Sequence, residues 1–142
     1  MSADVLAALV EPIVHRVRVR YCETDRMGVA HHGSYVAWFE EARTEWMRAR
    51  GASYRAMEDA GDLLQVVHLD VRYRSSVTYD DELAIEVGLI ETRNASVTIG
   101  YVARGAADAR LVATGRTTLA CVGRDGKLRR LPDALRVPGT AR

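Results

Sequence analysis

Polar and apolar positions alternate with period two through His15-Arg16-Val17-Arg18-Val19-Arg20-Tyr21, the spacing of a half-buried strand. The period then changes. From Ser34 to Arg50 the apolar residues Tyr35, Phe39, Ala42, Trp46 and Ala49 recur three or four apart and form one helical stripe. Gly33-Ser34 supplies an N-cap candidate and Gly51 a C-cap candidate. The stripe is bulky, with Trp38 beside it, so the helix is expected to be covered rather than to lie on the surface. Glu40 and Arg43 sit at i, i+3 and are placed to pair. Ser53 to Ala60 reads as a second, short helix closed by Gly61.

Beyond Gly61 the chain alternates again. Val67, Leu69, Val71 and Tyr73 make one strand, Leu83 to Leu89 another, and Val97 to Ala103 a third. The run Leu111 to Val122 makes a fourth, and Asp125-Gly126 is a hairpin-type turn before a short basic tail. Connections this short make the last strands antiparallel neighbours. The order of one strand, one long helix and four strands excludes a doubly wound parallel sheet. It predicts an α+β fold, a five-stranded antiparallel sheet wrapped around a long central helix, in a single domain over residues 1–142. Residues 1–12 are expected to form a leader and 128–142 a loose tail. The uncovered edge or face of such a sheet predicts a homodimer or homotetramer.

Composition narrows the function. Of 142 residues, 48% are hydrophobic and 27% charged, and 20 basic against 19 acidic residues leave a net charge of +1. That balance offers no electrostatic footprint for nucleic acid. No segment approaches the roughly 20 apolar residues of a membrane span. Two cysteines, Cys22 and Cys121, match no metal-ligand spacing and suit reduced thiols in a cytoplasmic protein, with Cys22 expected to be a small buried residue.

The chemistry-bearing segment is YCETDRMGVAHHGSYVAWFEEART, residues 21–44. Asp25 and Gly28 suit an ordinary turn, and His31 and His32 suit solvent-facing positions near a helix start. No further Cys, His or Asp cluster completes a metal-ligand set. A catalytic reading rests on the helix start itself, where backbone N–H groups lack partners and the dipole favours negative charge. The amides of His31, His32 and Gly33 then stand where an oxyanion is stabilised. Asp25, seven residues before His32, can be folded back to the same point. A carboxylate beside an oxyanion hole suits acyl transfer from a thioester, whose thiol, with a pKa of roughly 8.5, leaves without a strong general acid.

Tyr21, Glu23-Thr24-Asp25, Gly28-Val29, His32, Tyr35 and Phe39 to Glu45 together resemble the signature of hotdog-fold acyl-CoA thioesterases. The likeness is to the 4-hydroxybenzoyl-CoA type and to the short-chain type associated with the Tol–Pal system, and it runs over roughly residues 13–130. It implies dimers that share sites across an interface, often tetramers, and acyl-CoA as substrate with no metal or organic cofactor. It further implies Asp25 as nucleophile or general base, His32 as the oxyanion-hole position with its side chain counted in the site, and Gly28 and Val29 as shapers of the loop. Tyr35, mainly a core contact, is a candidate for touching substrate, as is His68 on a sheet face. Arg93 stands with Arg72, Arg74, Arg104, Arg116 and Arg124 as a candidate for the CoA phosphates. Aromatic and short or medium aliphatic acyl groups both fit. Two other functions fit the same residues: a hydratase or dehydratase acting on acyl thioesters, and a non-catalytic module that binds acyl-CoA or acyl-carrier protein.

Overall fold

The computed structural model describes Val5 and residues 9–136. Seven regular elements carry the fold: β1 (Val10–Arg18), α1 (Ser34–Ala49), α2 (Tyr54–Asp59), β2 (Leu63–Tyr73), β3 (Glu82–Thr92), β4 (Ser96–Gly105) and β5 (Leu111–Val122). The strands form one antiparallel sheet in the order β1-β3-β4-β5-β2. β3, β4 and β5 are joined by hairpins, while β1 and β2 add to opposite edges. α1 lies against one face of this sheet, which is the hotdog arrangement.

Two strands depart from the alternation read in the sequence, and each departure has a bulge behind it. β1 begins at Val10 rather than His15, because the register shifts between Val10 and Ile13. Pro12, which has no N–H to give a ladder, sits inside that shift. β1 also ends at Arg18, and Tyr21–Glu23 turns into a 3-10 helix instead of prolonging the strand. β2 starts at Leu63 because pairing with β5 continues through Leu64 and Val66, and a shift at Val67 then changes the phase. Leu64, Val66, Leu69, Val71 and Tyr73 therefore share the α1 side of the sheet.

α1 is buried on more than its expected stripe. Trp46 and Ala42 are wholly buried, and Phe39, Met47, Trp38, Tyr35 and Arg43 are nearly so. Ala49, the last residue of the helix, is exposed instead. The Phe39 ring stacks on Tyr101 of β4 with centroids 4.4 Å apart. Gly115 of β5 makes room for it, since a Cβ there would stand 2.7 Å from the Phe39 ring. Arg43 does not pair with Glu40; its guanidinium points inward to the hydroxyls of Tyr54 and Tyr101. The helix stops where Gly51 takes φ +77, and the Ala52 amide donates to the Met47 carbonyl at 2.9 Å.

The segment expected to be a loose tail is packed as far as Arg136. Leu131 and Leu135 are buried, and the Leu131 amide donates to the Asn94 carbonyl at 2.8 Å. Of the expected leader, Val5 is buried and Val10 to Pro12 belong to β1, while residues 1–4 and 6–8 lie outside the described residues, as do 137–142.

Candidate active site

Glu23 anchors the approach to α1. It is 8% exposed, and its carboxylate accepts from the Arg20 amide at 2.8 Å, the Arg20 guanidinium at 3.2 Å and the Trp38 indole at 2.9 Å. Burial alone would push its carboxyl up, but those donors outweigh burial and hold it below the usual glutamate range. The Glu23 carbonyl accepts from the His31 amide at 2.8 Å and from the Ser34 hydroxyl at 2.9 Å, so the chain is drawn back onto its own start.

The intervening residues close a tight loop. The Asp25 amide donates to the Val29 carbonyl and the Gly28 amide to the Asp25 carbonyl, each at 2.9 Å. Gly28 has φ +83, a conformation that side-chain-bearing residues rarely take. Val29 shapes the loop through its backbone, which also bridges to Thr78. The Met27 amide donates to Asp25 Oδ1 at 2.8 Å, fixing one carboxylate oxygen. Oδ2 accepts no hydrogen bond among the described residues.

Asp25, His32, Tyr35 and Tyr73 line one cavity of about 360 Å³, together with Arg74 and Ser76. Of the three amides expected to serve an oxyanion, two are spent. His31 gives its N–H to Glu23, and Gly33 gives its N–H to the His31 ring at 3.0 Å. The His32 amide alone of the three donates to no acceptor among the described residues. The Tyr73 hydroxyl donates to the His32 carbonyl at 2.8 Å and so fixes the His32–Gly33 peptide next to that amide. Tyr35 meets the Tyr73 ring edge-on at 5.2 Å, and burial, with Tyr73 nearby, pushes its phenol up to about 12. Tyr35 is therefore a neutral O–H donor at neutral pH. The His32 ring rests on the His31 ring, with centroids 4.1 Å apart.

His68 and Arg93 are not part of this cavity. They line a different hollow of about 410 Å³ with Thr98 and Thr118. It lies on the face of the sheet turned away from α1. His68 is paired with Asp70 at 3.1 Å, and Arg93 with Glu91 at 2.9 Å. Arg116 stands in that second hollow, and Arg74 is the one of the six arginine candidates that lines the Asp25 cavity. Cys22, expected to be buried, is exposed. The sequence reading gives no site role to Tyr73, Ser75 or Ser76 and names Arg74 only as a candidate for the CoA phosphates; all four line the cavity from the end of β2 and the turn after it. Apart from Tyr73 closing the strand's alternation, nothing in that stretch signals it.

A family model described as the thioesterase-like superfamily matches residues 19–138. The chain belongs to that superfamily. An acyl-CoA thioester hydrolase, YbgC of Escherichia coli O6:H1, is 37% identical over 81 residues, which cover 57% of this chain and 60% of that protein. The solved DHNA-CoA thioesterase of Staphylococcus aureus is 32% identical with a TM-score of 0.81, over 84% of this chain and 80% of that one. A solved Aquifex aeolicus protein is 30% identical with a TM-score of 0.82, over 87% of this chain and 99% of that one. In this member of the thioesterase-like superfamily, no helix among the described residues is long and apolar enough to cross a membrane. Nor do the described residues gather three or more His, Cys, Asp or Glu side chains that could hold a metal ion.

Proposed function

We propose that the chain hydrolyses acyl-CoA thioesters to a free acid and CoA, with Asp25 supplying the electron pair. One observation carries this: Asp25, with one carboxylate oxygen unbonded among the described residues, and His32, with its amide unspent, line the same cavity at the start of α1. A thioester carbonyl seated there places its oxygen against the His32 N–H, where the helix dipole adds to the stabilisation of developing negative charge. Asp25 then attacks the carbonyl carbon, or takes a proton from a water that does. The tetrahedral intermediate collapses by breaking the C–S bond, and the thiolate leaves with its electron pair. Along the first route water then opens the acyl-aspartyl anhydride; along the second the acid forms at once. The names carried by the Escherichia and Staphylococcus relatives support a CoA thioester as substrate.

The second part of the reading is a homodimer formed through β2. That strand is one edge of the sheet, and its Val66, Val67, Leu69 and Tyr73 are left exposed. An apolar, unpaired edge is a template for another strand. Self-pairing there covers those side chains and, because Tyr73 lines the Asp25 cavity, closes the site from the partner's side. The unpaired cysteines suit a reducing, cytoplasmic setting.

A screen of thiol release across aromatic and aliphatic acyl-CoA esters tests the reading. Turnover of at least one class, abolished in Asp25→Asn, is expected. Binding of those esters without any thiol release would instead make the chain a binding module. Hydration of an enoyl-CoA, lost equally in His32→Ala, would make it a hydratase.

A further inference from the structure

The middle of the sheet carries a second apolar patch, on the face turned away from α1. Ile99, Tyr101 and Ala103 of β4 point into the core, so Gly100 and Val102 between them point the other way. Val102 is nevertheless 1% exposed, as is Thr114 beside it on β5. Among the described residues, Val102 stands outside the cluster that packs α1 on the sheet. The segment before β1 lies on this outer face. Leu9 crosses the Gly88–Gly100 register pair of β3 and β4. A Cβ at Gly100 would stand 2.7 Å from Leu9 Cδ2 and 2.6 Å from Ile90 Cδ1, and a Cβ at Gly88 would stand 3.2 Å from Leu9 Cβ. The two glycines are thus the floor of a trough that holds an aliphatic side chain. Val5, four residues earlier, is 3% exposed and also stands outside the α1 cluster.

The turn that leads into this trough is strained and pinned. Glu11 has φ +48, the left-handed region that side-chain-bearing residues avoid, and it sits inside the register shift between Val10 and Ile13. Two residues of α1 hold it there. The Trp46 indole donates to the Glu11 carbonyl at 3.0 Å, and the Arg50 guanidinium pairs with the Glu11 carboxylate at 2.7 Å. Beside the trough the same face turns polar. Ile90 borders both the trough and the hollow of His68, Arg93, Thr98 and Thr118. That hollow carries both signs of charge, His68 with Asp70 and Arg93 with Glu91.

We propose that the leader around Val5 and Leu9 is a strap that caps the outer face of the sheet, and that the trough beneath it is a docking surface for the same trough of a second copy. With Leu9 displaced, Gly88, Gly100, Ile90 and Val102 present a flat apolar strip. A two-fold axis through the strip sets it against itself and sets the acids of one bordering hollow against the bases of the other. The strap therefore limits how many chains assemble. This surface is separate from the β2 edge, because β3 and β4 stand inside the sheet and β2 ends it. It is also on the opposite face from Tyr35 of the Asp25 cavity, so the inference stands apart from the hydrolase reading.

Sedimentation of the whole chain and its variants tests it. In the double variant Val5→Asp with Leu9→Asp, the strap no longer suits an apolar trough, and the particle should have about twice the wild-type mass. Adding Gly100→Asp puts a charge on the trough floor and should return the mass to that of the wild type. This reversal separates docking from misfolding, since chains that associate because they have unfolded do not part when a further charge is added. A double variant that keeps the wild-type mass overturns the proposal. So does a heavier particle that persists with Gly100→Asp. Thiol release, measured separately, reads the hydrolase proposal and not this one.

Discussion

Asp25 owes its position to two neighbours that do no chemistry. Gly28 permits the turn that brings the carboxylate back, and the Met27 amide holds one of its oxygens. Gly28→Ala should cost about 1–2 kcal/mol, the penalty of a left-handed backbone for a residue with a Cβ. It should also lower kcat at least tenfold, because small misplacements of a reacting group are costly. Gly126→Ala is the control: it has φ +80 in a turn far along the chain and should lose similar stability with kcat unchanged. Thermal melts beside steady-state rates separate the two, and equal rates in both variants would contradict this role for the loop. Glu23 makes a different prediction. Its carboxyl is lowered in the folded chain, so its contribution to stability is present above the ordinary glutamate pKa and is lost as pH falls through the lowered value. Glu23→Gln should therefore lower Tm at pH 7 and flatten its decline toward pH 3. A decline as steep as the wild type's would refute that assignment.

Between elements, the fit of α1 against the sheet depends on what the facing strands leave out. Gly115→Ala puts a Cβ 2.7 Å from the Phe39 ring and 2.9 Å from the Asp70 carbonyl, and it should destabilise by about 1–3 kcal/mol in urea unfolding. A neutral effect would mean that the helix is free to shift. The elements also mark where the sequence was readable. The central helix and the β3, β4 and β5 hairpins stand out because the register shifts there, between Leu89 and Glu91 and between Ala103 and Arg104, fall near the strand ends and leave most of each alternation intact. β1 and β2 were misplaced at their starts because a bulge reverses the face of every residue beyond it, and alternation carries no sign of that reversal. The inward turn of Arg43 was hidden for another reason. Its partners Tyr54 and Tyr101 lie 11 and 58 residues away, whereas helical spacing offered only Glu40. Asp25 and His32 could be placed together from local sequence, because a seven-residue return needs no long-range pairing. Which amide stays unspent could not, since that depends on Glu23 and on the rotamer of His31.

As an assembly, the chain should not work alone. Val67→Lys puts a charge on the exposed β2 edge without touching the core, where Val67 makes no pair in the β5 register. It should convert the proposed dimer to a monomer in sedimentation and lower hydrolysis with it. A fully active monomer would contradict a site closed by the partner. All of this depends on Asp25 acting at a carbonyl bound by the His32 amide. The most direct measurement is thiol release by Asp25→Asn, with binding of a non-hydrolysable thioether analogue measured on the same protein. The account predicts a rate at least about a hundredfold below wild type with affinity within a fewfold of it. A rate near wild type would contradict it.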